Sequence, residues 1–534
     1  MRRPEAVLGI TAIFLVGALV GVFLNRVDVP GFGDSESRKI EDALTLIRKR
    51  YVDVLSDDEL AAAAIQGMVE RLDPYSTYID ARTLGPVQDE LEGEFGGVGI
   101  WFEMVSDSAR VVSVIPGGPS EHAGVLAGDR IVAVDDSSCV GEPSRSIQSR
   151  IRGPRGEVVR LTIYRPVLSQ KLNVSVERAV IPIRSVEAAF RLDDETAYIR
   201  LSRFTSGTAE EFRKAVSDLR NAGPLRGLLI DVRNNPGGIL EAAVRVSDEL
   251  LAGGVDIVST EGRGIEKREV YASSAGGMVE DTPVIILVNS NSASASEILA
   301  GAIQDNDRGL VIGQPTFGKG LVQRQFVFGD GSALHLTVAR YYTPAGRAIQ
   351  NDLDRNVPVH AGADTVLARN DSDPADSLLQ FTTLHGRILR GGKGIYPDHI
   401  PPADSLVNVF ELVFRSGLDL GFSRRWFDTR EASVRQAWSQ EPDRFVDEFR
   451  IDDETWQEFV TYTAREAGTV WSRYDASDIA LARSRISTLL TARIGQSLFG
   501  PQIWFSIVSK VDPDITFARA FWEEASSLPG APGR

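Results

Sequence analysis

The chain has very few of the residues that build disulfides and metal centres. It contains a single cysteine, Cys139, which excludes an intrachain disulfide and a cysteine-rich zinc site. Its five histidines fall in no ligand spacing such as H-x-x-x-H. We therefore do not expect a histidine-built metal centre.

The chain also lacks an excess of positive charge. Its 58 Lys and Arg residues are outnumbered by 74 Asp and Glu residues, and the formal net charge is −16. This balance argues against a protein that binds nucleic acid through its phosphates. Hydrophobic residues make up 43% of the chain, which excludes a disordered protein. At about 150 residues per domain, the 534 residues predict three or four domains.

Charge is absent from Val7 to Leu24, a run of 18 residues. As a helix this run is about 27 Å long, just enough to cross a bilayer. Arg2 and Arg3 precede it and acidic residues follow, so the positive-inside rule leaves the short N-terminus in the cytoplasm. We interpret the run as an uncleaved signal anchor of a single-pass cell-membrane protein whose main part is extracytoplasmic (periplasmic). A cleaved signal peptide, which also exports the chain, and a buried core helix are the alternatives.

Changes in hydrophobic period divide the chain into five regions. Residues 1–30 form the anchor and a tether, and residues 31–93 carry apolar positions at helical spacing. Residues 94–180 predict a small β-rich domain. Residues 181–402 alternate strands and helices and predict an α/β core, with a polar, loop-like insertion at 351–390. Residues 403–534 are amphipathic and predict a helical C-terminal extension.

The β-rich region carries an ordered glycine signature that resembles a PDZ domain. Its two parts are Gly96-Gly97-Val98-Gly99-Ile100 and Pro119-Ser120-x-x-Ala123-Gly124-x-x-x-Gly128-Asp129. The resemblance implies a groove in which a peptide adds a strand and its free carboxylate meets backbone N–H groups of Gly97, Val98 and Gly99. Ile100 would then line an apolar pocket for the last side chain. A glycine-rich turn in another kind of small β domain is the alternative.

A serine follows the apolar strand Val284–Val288 at the start of a helix. Ser294 would stand at the end of the strand, beside backbone N–H groups of the new helix, where a nucleophile and an oxyanion site can coexist. Ser294-x-x-Glu297 also fits a capping box, so a purely structural role stays open at this point.

Such a serine needs a base, and no histidine lies near these motifs. The alternative is Lys319, set between Gly318 and Gly320 after a predicted buried strand. A lysine acts as a general base only when burial and its neighbours lower its pKa. Gln323, four residues on, could hold the amine without adding charge. A solvated turn is the structural alternative for Gly-Lys-Gly.

A third motif, Asn235-Pro236-Gly237-Gly238, joins a predicted strand to a helix. Successive glycine N–H groups at a helix start can point at a developing oxyanion, and glycine allows close backbone approach. A plain strand-to-helix turn is the alternative.

Together these motifs resemble the carboxyl-terminal processing (tail-specific) serine protease family, and the resemblance extends from about Ile40 to His399. The further motifs that carry it are Leu72-Asp73-Pro74-x-Ser76, Ile151-Arg152-Gly153-Pro154-Arg155-Gly156, Gln304-Asp305, and Tyr342-Thr343-Pro344-x-Gly346-Arg347.

The resemblance implies a catalytic set and a crotonase/ClpP-like core. Ser294 would be the nucleophile, Lys319 the general base and Gln323 the residue that orients the lysine. The oxyanion donors would be the backbone N–H groups of Ala295 and of Gly237 or Gly238. No metal or organic cofactor is implied.

Two other positions are matched to the family pattern. Asp305 is expected to be structural. Tyr75 stands where the family usually has histidine, and we expect it to lie outside the catalytic set.

The implied function is that of an exported, membrane-anchored serine endopeptidase. Its PDZ domain would bind protein or peptide substrates with apolar C-termini. A catalytically inactive, peptide-binding relative and an acyl-CoA enzyme of the crotonase type are the alternatives. The helices of residues 403–534 are compatible with a second copy of the chain or an adaptor as partner, and equally with solvent-exposed packing decoration.

Overall fold

The structure is a computed structural model. It describes residues 34–105, 107–115, 117–263, 268–351, 379–383, 385–391, 394–402, 407–438 and 441–531. The apolar run Val7–Leu24 lies outside these residues. Within them, no helix combines the length and the apolar character needed to span a membrane.

The N-terminal region contains the two helices predicted from its apolar spacing. They are α1 (Asp34–Arg50) and α2 (Asp57–Val69). The Ser56 side chain accepts a hydrogen bond from the backbone N–H of Glu59 and so starts α2 with a capping box. The chain then forms the short strand β1 (Thr77–Ile79) and helix α3 (Ala81–Glu92).

The PDZ-like region is a sheet with one helix against it. The sheet order is β3-β4-β5-β7-β8, with β6 paired to β5. Its helix α5 spans Ser144–Ile151 and buries Ile147 and Ile151. The strands are β3 (Ile100–Val105), β4 (Ser108–Val114), β5 (Arg130–Val134), β6 (Ser137–Ser138), β7 (Val158–Arg165) and β8 (Gln170–Glu177), and the short helix α4 spans Pro119–His122. Strand β2 (Glu94–Gly97) precedes this sheet in the sequence and strand β9 (Ala179–Pro182) follows it, and the two strands pair with each other.

The α/β region is built on a five-stranded sheet with the order β10-β11-β12-β15-β16. The strands are β10 (Val186–Arg191), β11 (Thr196–Leu201), β12 (Gly227–Asp231), β15 (Val284–Val288) and β16 (Gly309–Gly313). Strands β11, β12, β15 and β16 run parallel, so their carboxyl ends meet at one edge. All residues of β12, β15 and β16 are buried, as expected for a parallel sheet that is covered on both faces.

Different parts of the chain cover the two faces of this sheet. Helices α6 (Thr208–Asn221), α7 (Leu240–Asp248) and α8 (Ala295–Asp305) pack on one face. Residues from Phe505 to Ala531 pack on the other face. Part of the C-terminal extension therefore completes the core of the α/β region.

A second sheet lies beside the first and carries Gln323, one of the residues predicted for the catalytic set. Its order is β1-β18-β13-β14, with β17 paired to β18. The strands are β13 (Asp256–Gly262), β14 (Glu269–Ala272), β17 (Leu321–Val327) and β18 (Ala333–Tyr342). The N-terminal strand β1 pairs with β18 antiparallel, which brings the N-terminal region against the α/β region.

The expectation of a wholly loop-like segment at 351–390 is wrong at its C-terminal end. Strands β19 (Leu379–Thr382) and β20 (Ile388–Gly391) form a hairpin there. The hairpin is held by Arg347, whose guanidinium donates to the carbonyl oxygen of Arg390 at 2.9 Å. The polar composition of the segment concealed this short strand pair.

The C-terminal extension is helical, as predicted, and has its own aromatic core. Phe445 and Phe449, predicted to pack, stack with their ring centroids 4.5 Å apart. The helices are α9 (Val407–Arg415), α10 (Leu418–Trp438), α11 (Pro442–Glu448), α12 (Asp453–Ala467), α13 (Ala476–Phe499), α14 (Pro501–Val508), α15 (Pro513–Ala518) and α16 (Trp522–Ser527).

Candidate active site

Three loops meet at the carboxyl edge of the parallel sheet. The loop after β12 carries Gly237 and Gly238, the loop after β15 carries Ser294, and the loop after β16 carries Lys319. All four residues, with Gln323 of β17, line one cavity of about 560 Å³. The structure therefore brings together the residues predicted for the catalytic set, which are far apart in the sequence.

Ser294 has a strained backbone. Its φ of 55° and ψ of −114° lie in a region that non-glycine residues rarely adopt. Such strain persists only where the surroundings enforce it, and it clusters at functional sites. The side chain is half-buried and faces the cavity at the first turn of α8.

Glu297 holds the loops of Ser294 and Lys319 together. Its carboxylate is fully buried and accepts hydrogen bonds from the backbone N–H groups of Ser294 and Lys319, both at 2.8 Å. It also accepts from the Thr316 hydroxyl at 2.6 Å and from the Gly318 N–H at 2.7 Å. Burial raises the pKa of this carboxyl, and the hydrogen bonds oppose that rise. The capping box suggested by the sequence is thus part of the site.

The side chain of Lys319 is half-buried and bonded to a neutral partner. Its Nζ donates to Oε1 of Gln323 at 3.1 Å, which confirms the predicted contact. Burial lowers the pKa of Lys319, while the negative charges of Glu297 and Asp73 oppose this effect. The net direction favours the neutral amine that a general base requires.

Two tyrosines that sequence reasoning did not assign to the site lie against Lys319. The ring of Tyr75 lies over its Nζ, with 4.8 Å between the nitrogen and the ring centroid. The hydroxyl of Tyr341 donates to the backbone carbonyl oxygen of Lys319. These contacts place Tyr75 beside Lys319 without making it a member of the catalytic set, so its exclusion from that set stays a prediction. The pairing of β1 with β18 brings Tyr75 there, and no local sequence signal indicates that pairing.

The structure distinguishes the N–H groups of the two glycines between which the oxyanion prediction left the choice open. The N–H of Gly237 donates to Oδ1 of Asn235 at 2.9 Å and is not free for a substrate. The N–H groups of Gly238 and Ala295 have no protein acceptor within the described parts of the chain. Of the two glycines, the structure therefore leaves Gly238 as the donor.

Gly237 is required at its position by close packing. Its φ is +99°, and a Cβ there would lie 2.7 Å from the Cβ of Ser294 and 2.9 Å from the backbone nitrogen of Ala295. A side chain at this position would occupy the space beside the nucleophile.

Asp305 lies away from Lys319 and has a structural role. Its carboxylate forms a buried ion pair with Arg347 and accepts from the N–H of Ala345 at 2.9 Å. These contacts attach the end of α8 to the turn after β18. The structural expectation for Asp305 is confirmed.

The predicted PDZ loop connects β2 to β3. The carbonyl oxygen of Val98 accepts from the N–H of Ser120 at 3.1 Å, and that of Gly99 accepts from the N–H of Ile115 at 2.9 Å. Gly99 has a φ of +71°, which suits glycine, and Gly97 ends β2. Ile100 is half-buried against the core of this domain. The loop is thus braced by the segment from Ile115 to Ser120.

Comparison with known families matches three parts of the chain. The model of Peptidase family S41 matches residues 195–359, which contain the cavity residues Ser294, Lys319 and Gln323. The PDZ domain model matches residues 110–165, and the model of the Activating protease CtpB N-terminal domain matches residues 26–83. A carboxy-terminal-processing protease of Bartonella bacilliformis is 39% identical over 312 residues, 58% of this chain and 71% of that protein.

The chain belongs to peptidase family S41. It is a serine-type peptidase with a PDZ domain. The carboxy-terminal processing protease CtpB of Bacillus subtilis is 34% identical to this peptidase, and the matched part covers 59% of this chain and 66% of CtpB. Among solved structures, the photosystem II D1 C-terminal processing protease is 29% identical, with a TM-score of 0.34, over 59% of this chain and 90% of its own.

Proposed function

We propose that this peptidase is an exported, membrane-anchored serine endopeptidase that recognises the C-terminal tails of protein substrates and cleaves them with a Ser294–Lys319 dyad. The observation that carries the proposal is the state of Lys319. Its amine lines the same cavity as Ser294, its pKa is lowered by burial, and its hydrogen-bond partner Gln323 is neutral. We also propose that the core is of the crotonase/ClpP type, which the largely parallel sheet with helices packed on its faces supports.

In the proposed reaction, the Ser294 hydroxyl attacks the scissile carbonyl carbon while neutral Lys319 accepts the hydroxyl proton. The negative charge that develops on the carbonyl oxygen is stabilised by the N–H groups of Gly238 and Ala295. Collapse of the tetrahedral intermediate breaks the peptide bond, and Lys319 returns the proton to the leaving amine. Water then hydrolyses the acyl-enzyme, with Lys319 again as the base.

A fluorophosphonate probe tests the dyad, because it reacts only with an activated serine. We expect wild-type protein to be labelled, and Ser294→Ala and Lys319→Ala to lose labelling. Ser290→Ala is the matched control, since this exposed serine of the same loop should not affect the reaction. Undiminished labelling of Ser294→Ala would contradict the proposal. Labelling also separates the active peptidase from the inactive, peptide-binding relative.

The proposed role of the PDZ domain rests on its glycine loop and on its family match. A solved PDZ domain of a carboxy-terminal protease from Vibrio cholerae, in complex with a peptide, is 25% identical over 16% of this chain, with a TM-score of 0.16. We expect amidation of a substrate's C-terminus to raise KM or abolish cleavage, because the amide lacks the carboxylate that the loop would bind. Equal cleavage of free and amidated tails would remove the PDZ domain from substrate selection.

The proposed membrane attachment and export rest on the charge-free run Val7–Leu24 and on the basic residues before it. We expect the protein to remain with membranes after a high-salt wash, because a spanning helix is held by hydrophobic burial that salt does not weaken. We also expect it to be digested by external protease once the outer barrier is opened. Release by salt would contradict the anchor. A second copy or an adaptor as partner of the C-terminal helices remains a prediction.

A further inference from the structure

The turn that carries Tyr75 is hydrogen-bonded to strand β18, on the side of the cavity that carries Lys319 and Gln323. The carboxylate of Asp73 accepts from the N–H groups of Tyr75 and Ser76 at 2.9 and 3.0 Å, and from the Ser76 hydroxyl at 2.8 Å. Thr337 of β18 connects this turn to the sheet: its N–H donates to the Ser76 hydroxyl oxygen at 3.1 Å and its hydroxyl donates to Asp73 at 3.0 Å. The position of Tyr75 is therefore set by β18, next to the strand that carries Gln323.

The backbone carbonyl of Tyr75 determines which end of the Gln323 amide faces Lys319. A carbonyl oxygen only accepts, so the amide must present its NH₂ group to Tyr75, and Nε2 of Gln323 donates there. The amide oxygen is then turned to the other side, where it accepts from Nζ of Lys319. With the amide reversed, its NH₂ group would face the amine and could not accept a hydrogen bond from it.

The ring of Tyr75 covers the same amine. Tyr75 is only 9% exposed, and its ring centroid lies 4.8 Å from Nζ of Lys319. The hydroxyl of Tyr75 is buried and has no hydrogen-bond partner within the described residues, so the contact is made by the ring face alone. The ring thus occupies space in which water would otherwise solvate the ammonium form of the lysine.

We propose that Tyr75 is a positioning residue for the catalytic base: its carbonyl oxygen orients Gln323 toward Lys319, and its ring excludes water from the lysine amine. This inference rests on the proposed function, in which Lys319 is the general base.

The other groups around Lys319 are compatible with this role. The carboxylates of Glu297 and Asp73 favour the charged amine. His335 of β18 lines the same cavity, and burial and the charge of Lys319 lower its pKa. Burial also raises the pKa values of Tyr75 and Tyr341, which therefore carry no charge at neutral pH. Tyr75 is thus a cover that acts on the base without adding a charge.

Removing the ring would have two opposing effects on the pKa of Lys319, and the loss of burial is the larger of the two. Loss of the cation–π contact would destabilise the ammonium and so lower the pKa of Lys319. Readmission of water would stabilise it, and burial can shift a lysine pKa by up to ~3–5 units. Burial is the largest influence on the pKa of Lys319. In the variant without the ring, the amine of Lys319 should therefore stay protonated to higher pH.

The experiment measures the rate of fluorophosphonate labelling against pH in the full-length protein. For Tyr75→Ala we expect the midpoint of the rise to move up by about one pH unit, which makes labelling ~10-fold slower at neutral pH. The plateau at high pH should stay within about threefold. Tyr75→Phe keeps the ring and should restore the wild-type midpoint. Tyr78→Ala, which removes a half-buried tyrosine from the same segment, is the matched control and should keep that midpoint too.

An unchanged midpoint in Tyr75→Ala would overturn the inference. So would a loss that is uniform at all pH values and accompanied by a lower Tm, because a merely structural residue would behave in that way. If Tyr75→Ala does not unfold cooperatively, Tyr75→Leu fills more of the space without a ring face and serves in the same measurement. Failure of the proposed function is distinguishable, since Lys319→Arg would then be labelled normally whatever residue stands at position 75.

A double-mutant cycle with Gln323→Ala tests the orienting contact. If Tyr75 acts through Lys319 and Gln323, the loss in Tyr75→Ala/Gln323→Ala should be smaller than the product of the two single losses. Independent losses that multiply would contradict a shared role.

Discussion

At the scale of single residues, Glu297 connects the loop of Ser294 to the loop of Lys319. Each oxygen of its carboxylate accepts two hydrogen bonds, and the four donors come from Ser294, Thr316, Gly318 and Lys319. A small movement of this side chain would therefore move both members of the proposed dyad. Misplacement by about 1 Å is enough to cost ~100-fold in rate.

Glu297→Gln is expected to lower kcat by about 100-fold, because the NH₂ group of glutamine would face two donors that it cannot bond. The substitution also removes a negative charge that raises the pKa of Lys319, so the rise of activity with pH should move to lower pH. A pH profile of kcat/KM, with Thr316→Val as the milder comparison that loses a single donor, checks both effects. Near-normal kcat in Glu297→Gln would show that the carboxylate does not hold the loops.

The sequence carried different amounts of information about these residues. Ser294, Lys319 and Gln323 stand in local motifs, and their assembly follows from loops at one edge of a parallel sheet. The contact of Tyr341 with Lys319 follows from the pairing of the neighbouring strands β17 and β18. The contacts of Tyr75 follow instead from the pairing of β1 with β18, which joins residues more than 240 positions apart. Such long-range pairing has no local signal. The occupied N–H of Gly237 was equally out of reach, because it depends on the rotamer of Asn235.

At the scale of elements, the strand β12 and the C-terminal helix α15 are joined through Arg233. Its guanidinium contacts Asp231 at 2.7 Å and Asp512 and Asp514 at 2.9 Å each. Burial acts to raise the pKa of Asp231, but the charges of Arg233 and Arg200 outweigh it and lower the value to about 2. The network lies directly before the loop that carries Gly238.

Arg233→Gln is expected to lower the free energy of unfolding by about 3–5 kcal/mol at neutral pH, because it removes the cation that pairs with Asp512 and Asp514 and leaves buried Asp231 with Arg200 alone. The depressed pKa of Asp231 means that its contribution is present above the unfolded value of about 3.9 and is lost as the pH falls below it. The difference in the free energy of unfolding between wild type and Arg233→Gln should therefore become smaller as the pH falls.

Denaturant unfolding at neutral pH and at about pH 2.5 measures this difference, because the contribution of Asp231 is lost between its unfolded pKa of about 3.9 and its folded pKa of about 2. Lys214→Gln is the control, since it breaks an exposed pair with Asp218 and should cost less than about 1 kcal/mol. A difference between wild type and Arg233→Gln that stays constant across this pH range would contradict the assignment.

The helical pattern of residues 403–534 was readable from the sequence, but its placement was not. Amphipathic helices show which face is apolar and not which surface that face covers. Ile515, Ala518, Ala525 and Leu528 turn out to pack on the second face of the parallel sheet. This finding replaces the view of the extension as packing decoration, because the central sheet would otherwise be open on one side.

At the scale of the whole molecule, the C-terminal extension contacts both the α/β region and the PDZ domain. The buried Arg110 of the PDZ domain pairs with Glu103 of the same domain and lies 3.6 Å from Glu431 of α10. Arg130 pairs with Asp428 at 2.6 Å, and Arg424 pairs with Glu103 at 3.0 Å. The extension thus sets the position of the PDZ domain relative to the core.

A chain that ends at Pro402 should fail to give soluble, cooperatively folded protein. Its sheet would expose the buried side chains of Leu229, Ile285, Leu287 and Ile312, and large apolar patches of this kind drive aggregation. The loss of folding is measured by comparing the truncated and full-length chains in soluble yield, in binding of a hydrophobic dye and in thermal unfolding. A soluble, cooperatively unfolding truncated protein would show that the extension is dispensable for the core.

The central claim is that neutral Lys319 is the general base for Ser294, and the pH dependence of Lys319→Arg tests it most directly. Wild-type kcat/KM should rise with pH as one group loses its proton, with a midpoint well below the unperturbed lysine value of about 10.4. Lys319→Arg should be as inactive as Lys319→Ala and Ser294→Ala at every pH, because guanidinium does not give up its proton in this range. Near-normal turnover of Lys319→Arg would contradict the account.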